Sequence, residues 1–109
     1  MAGFKDEKQL WKWMKPRLQG RWERLEAIFP VGMPDAFGTF DDMLHFVELK
    51  VGRPTLTTLR PEQREFIRWQ DNGPKETITP CFVAFGDPHL KDVTFLRWGA
   101  PVRPLFWKG

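Results

Sequence analysis

The chain has 109 residues, 41% hydrophobic and 28% charged, with six Trp and ten Phe. Its 17 Lys and Arg against 14 Asp and Glu give a formal charge of +3. That composition suits one soluble globular domain with a single core; it excludes a disordered or low-complexity chain and contains no apolar run long enough to span a bilayer. Cys81 is the sole cysteine, so no intrachain disulfide can form. The lysine-rich N-terminus is followed by no apolar signal core, and an intracellular location is expected.

Between Phe4 and Phe29, Trp11, Met14, Leu18, Trp22 and Leu25 recur at steps of three and four, an apolar stripe of helical period. Pro16 cannot sit inside a helix without losing a hydrogen bond. The pattern therefore predicts one helix ending near Lys15 and a second from Pro16 to about Ile28, stopped by Pro30 and Gly32. Lys5, Lys8, Lys12 and Lys15 line the first helix opposite Leu10, Trp11 and Met14. They read as the solvated face of an amphipathic helix, with DNA contact as the second reading.

Residues 34–40 and 43–50 read as two strands joined by Asp41-Asp42, a pair that tolerates tight turns, and so as a β-hairpin. Side chains alternate along a strand. Leu44, Phe46, Glu48 and Lys50 therefore share one face, with His45, Val47 and Leu49 on the other. The start of one hairpin strand lies opposite the end of the next, so Asp35, which begins the first, should meet Glu48 and Lys50 at one edge. Two carboxylates are hard oxygen ligands of the kind Mg²⁺ takes. An ammonium beside them can orient an attacking water and offset developing negative charge. These are the parts of a metal-dependent phosphodiesterase.

After a loop, Pro61 is placed as the first residue of a helix to about Asp71, with Gly73 as terminator. Gln63, Phe66, Ile67 and Gln70 share its core-facing stripe, where Gln63 either serves the site or bonds a backbone group. Arg60, Arg64 and Arg68 form a second stripe, either binding phosphates or stitched to Glu62 and Glu65. "PCFVAFG" and "VTFLRWG" are two further strands around the turn "DPH", and the Pro-containing tail is a packed arm or a frayed end. The order is α-α-β-β-α-β-β. Trp11, Trp22 and Trp69 are expected in the core, Cys81 as a small buried hydrophobe, His89 in a turn, and His45 pointing away from the Glu48 face.

"RLE" (24 to 26), "GMPD" (32 to 35), "FVELK" (46 to 50) and "LRPEQ" (59 to 63) together resemble the motif set of the PD-(D/E)xK nucleases, and more closely the VRR-NUC (virus-type replication-repair nuclease) group. The resemblance covers about residues 22 to 70. It implies an α/β, restriction-endonuclease-like fold, a small mixed sheet flanked by helices, in one domain. It implies Mg²⁺ or Mn²⁺ bound by Asp35, Glu48 and the Leu49 backbone carbonyl, with Lys50 acting on the water. It also implies an acid from the preceding helix, at Glu26 or one turn earlier at Glu23, and the glutamine Gln63. Stand-alone viral members look like symmetric dimers that cut branched DNA. The expected activity is thus a metal-dependent DNA endonuclease acting on branched DNA such as four-way junctions, as a homodimer, with Trp11, Trp13 and Leu105-Phe106-Trp107 offering apolar surface for the interface. The rival readings are a DNA-binding or assembly module on the same fold and a structural protein whose Glu48–Lys50 is a surface ion pair.

Overall fold

A helix opens where Asp6 accepts a hydrogen bond from the Gln9 N–H at 2.8 Å, which satisfies one of the otherwise unpartnered first-turn donors. The computed structural model describes residues 2–25, 34–54, 61, 79–97 and 100–109. Helix α1 spans Glu7–Met14 and buries Leu10, Trp11 and Met14. Pro16 follows in a single 3₁₀ turn, Lys15–Arg17.

The second helix expected from Pro16 to Ile28 does not form over its described part. Leu18 is already extended, Gly20 takes φ +104°, and Arg21–Arg24 is strand β1. Leu18 and Trp22 are four apart, a spacing that fits a helical face but is also even, so an extended chain can bury both on one side. Trp22 is buried between exposed Arg21 and Glu23, the alternation of a half-buried strand. At Gly20 a Cβ would run into the Thr39 carbonyl oxygen, so the left-handed turn there lets the chain lie along the next strand.

The remaining strands are β2 (Ala36–Phe40), β3 (Met43–Val51), β4 (Cys81–Gly86), β5 (Val93–Arg97) and β6 (Ala100–Val102), in one mixed sheet ordered as in the chain. Among the described strands only β3 and β4 run parallel. The predicted hairpin and the strands in "PCFVAFG" and "VTFLRWG" are present. The observed order differs from α-α-β-β-α-β-β: it has β1 in place of the second helix and gains β6, where Pro101 is tolerated because the strand lies at an edge. Of the helix predicted from Pro61 to Asp71, only Pro61 lies inside the described residues, and Trp69 lies outside them.

Cross-strand register divides the side chains between two faces. On one, α1 and the C-terminal arm pack Leu10, Met14, Phe106 and Trp107 against Val47, Leu49, Ala84 and Phe95. The Phe106 ring lies 4.7 Å from Trp22, 5.3 Å from Phe82 and 5.9 Å from Phe95. Gly38 leaves room for the Trp22 indole, which a Cβ there would overlap. The arm is fastened by Gln19 N–H to the Phe106 carbonyl and Lys108 N–H to the Arg17 carbonyl, so it is packed and not frayed. On the other face Val83, Phe85 and Leu96 form a smaller cluster beside Glu48. No helix among the described residues is long and apolar enough to cross a membrane.

Candidate active site

The hairpin sets the geometry. Asp41 and Asp42 both take positive φ, 53° and 60°, the conformation of a tight two-residue turn whose twist matches that of the flanking strands. This turn fixes the register Phe40↔Met43 through Ala36↔Val47. Asp35, one residue before β2, therefore comes beside Glu48. Its backbone carbonyl accepts from Leu25 N–H at 2.8 Å, and its side-chain Oδ2 accepts from Leu49 N–H at 2.8 Å. The carboxylate is thus held just ahead of the start of β2, where β3 runs on past its partner strand.

Two consequences follow for Leu49. The N–H and C=O of one strand residue point to the same side, so its carbonyl also faces the start of β2. Its side chain is fully buried in the helix-side core, which pins that stretch of backbone. Sequence could name the Leu49 carbonyl by resemblance but gave no sign that the same residue's amide anchors Asp35, because a backbone donor leaves no trace in residue type.

Glu48 and Lys50 lie on the face away from α1. Glu48 is 2% exposed, in a row with Val83 and Leu96, both buried. A carboxylate in such apolar surroundings is costly unless its charge is compensated, which makes this position more than a surface ion pair. Lys50 is half-buried one row on, beside Phe85.

Of the other predicted site residues, Glu26, Arg60, Gln63, Arg64 and Arg68 lie outside the described residues. Glu23 is exposed on β1, opposite Phe37 and on the Glu48 face, but it is carried by a strand and not by a helix. The structure thus bonds Asp35 to Leu49, the β3 residue between Glu48 and Lys50. His45 is on the opposite face, enclosed by Trp22, Phe82 and Phe106; burial lowers its pKa, the Arg97 charge adds to that, and its bond to the Met43 carbonyl opposes it. His89 is in a turn closed by the Asp87 carboxylate, and Cys81 is buried in β4.

Among the described residues no group of three or more His, Cys, Asp or Glu side chains converges as a metal site. Asp35 and Glu48 with a strand carbonyl are nevertheless an all-oxygen donor set, and Mg²⁺ commonly takes one or two carboxylates and keeps several waters. The residues present fit that ion.

No family model matches the chain, and no curated protein matches it in sequence. Among solved structures it is similar to Hjc of Archaeoglobus fulgidus, a Holliday junction resolvase from an archaeal hyperthermophile, with a TM-score of 0.55 and 18% identity over 84% of this chain and 74% of that one. At that identity the likeness is one of fold: the mixed six-stranded sheet is similar to that of Hjc.

Proposed function

We propose that this protein is a divalent-metal-dependent DNA endonuclease selective for branched DNA such as four-way junctions. The observation that carries the reading is the Asp35 carboxylate held on the amide of Leu49, the residue between Glu48 and Lys50, on a sheet similar to that of a Holliday junction resolvase.

In this reading Asp35, Glu48 and the Leu49 carbonyl hold Mg²⁺ or Mn²⁺. When bound, the ion supplies Lewis-acid polarisation of a phosphate oxygen and a more acidic water. Asp35 keeps one oxygen for the Leu49 amide, so its orientation is set before substrate arrives, and its other oxygen would serve the ion. Lys50 orients the attacking water and offsets negative charge as it develops on the phosphate. Glu26 or Glu23 supplies a further acid, Gln63 positions the water or a ligand, and Arg60, Arg64 and Arg68 meet the phosphate backbone. Paired cuts in the two equivalent strands of a junction call for two sites related by a two-fold axis, hence a homodimer.

The test is cleavage of labelled four-way junction and linear duplex by the purified chain, with Mg²⁺ and with EDTA. The expected result is Mg²⁺-dependent cutting that favours the junction and falls to background in Asp35→Asn and in Glu48→Gln, with both variants folded. Full activity in either variant, or cutting that persists in EDTA, would overturn the site. Tight junction binding without any cutting would give the assembly-module reading instead.

A further inference from the structure

Lys8 and Lys12 on α1, Lys15 in the 3₁₀ turn and Lys5 just ahead of the helix are all exposed on its outer side, opposite buried Leu10, Trp11 and Met14. Among the described residues none of the four ammonium groups is in an ion pair or hydrogen bond, and the Lys5 backbone N–H donates to Gln9 Oε1. Of the two acids in this segment, Asp6 is committed to capping the helix and Glu7 is half-buried. A solvated helix face is ordinarily laced by opposite charges four residues apart; here Lys8 and Lys12 repeat the same sign at that spacing, which disfavours the free helix. The positive strip continues through Arg17, whose guanidinium lies 3.8 Å from the Trp13 ring centroid and bonds the Trp13 carbonyl, to exposed Lys108, whose N–H is bonded to the Arg17 carbonyl.

This strip and the candidate active site lie on opposite sides of the sheet. α1 packs on the Val47 and Leu49 face, whereas Glu48 and Lys50 face the other way. One straight duplex seated at Glu48 cannot also lie along α1. A DNA with several arms can.

We propose that the lysine strip of α1 is a second phosphate-backbone contact, remote from the cut, that holds another arm of branched DNA. The proposal rests on the DNA reading above. From Lys8 to Lys15 the strip extends about 10 Å at helical rise, a length over which one strand of a duplex passes about three phosphates. Spacing and length suit a phosphate backbone, with no base readout required.

The test compares the full chain with a variant carrying Lys5→Gln, Lys8→Gln, Lys12→Gln and Lys15→Gln, which removes the charge and keeps helix propensity. Binding to a long-armed four-way junction and to a linear duplex is measured against salt concentration in EDTA, where no cutting occurs. The variant should keep its thermal stability, and on the junction the slope of log K against log salt should shrink by about 0.9 for each lysine that met a phosphate. The linear duplex should change less. An unchanged junction slope, or an equal loss on both substrates, would overturn the proposal, as would lysine-dependent binding to anionic lipid vesicles with none to DNA. Because binding is read without metal, a failure of the cleavage reading appears separately, as a native chain that binds the junction and does not cut it with Mg²⁺.

Discussion

At the scale of single residues, burial and anchoring decide what each charged group can do. Lys50 is placed to act on charge that appears only as the phosphate is attacked, so its removal should affect turnover more than ground-state binding. Lys50→Ala is expected to lower kcat by roughly 10²–10³-fold, the usual cost of one preorganised electrostatic group, while junction affinity measured in EDTA stays within a fewfold. An equal loss of affinity with unchanged kcat would recast Lys50 as a phosphate anchor. His45 gives a pH dependence of stability. Its folded pKa is held below the ordinary value by burial, so the unfolded chain binds the proton more readily. Its contribution to stability is therefore complete above about pH 6.5 and is lost as pH falls through that value toward the lowered folded one. Thermal melts at about pH 5 and about pH 7.5 should show a drop that is smaller in His45→Gln; an identical drop in the variant would assign it elsewhere.

At the scale of elements, the β2–β3 hairpin is what turns sequence distance into a site. Its turn places two Asp residues in the left-handed region, which Asp tolerates and Asn-Gly adopts more readily. Replacing Asp41-Asp42 by Asn-Gly should stabilise the protein by about 1 kcal/mol in urea denaturation, by relieving the left-handed strain of a non-glycine residue, without altering cleavage, since the turn is at the end of the hairpin remote from Asp35. A loss of cleavage at unchanged stability would show that the turn itself takes part in the site. β1 makes the complementary point: Trp22 needs the missing Cβ of Gly38 to lie flat on the sheet, and that close approach, together with the Gly20 turn, holds Arg21–Arg24 as a strand.

At the scale of the molecule, the two chain ends are joined through one aromatic core. Trp11, Phe106 and Trp107 are buried and Trp13 packs edge-on against Phe4, so these rings stabilise the monomer and are not the free apolar surface expected of them. Of that group only Leu105 is exposed, at 85%. Phe106→Ala should cost about 3–5 kcal/mol, whereas Leu105→Ala should stay within about 0.5 kcal/mol, both read from urea unfolding. Comparable losses for the two would mean that the arm is not seated as described. The proposed homodimer therefore needs another surface, and sedimentation of the Leu105→Ala variant at micromolar concentration should match that of the native chain.

The sequence alone determined the hairpin, the two strands after it, the first helix and the place of Asp35 across from the end of β3, because each depends on short-range rules: alternation, turn chemistry and antiparallel register. It also separated His45 from the site face by parity alone. Tertiary structure decided the rest. Whether Leu18 and Trp22 belong to a helix or a strand could not be read locally, since their spacing serves both; pairing with β2 and the space above Gly38 made the choice. The fate of the C-terminal rings depended on partners from α1, β1, β4 and β5 that come together only after folding. The Leu49 amide that fixes Asp35 is a backbone group common to almost every residue, and only the folded register gave it that role.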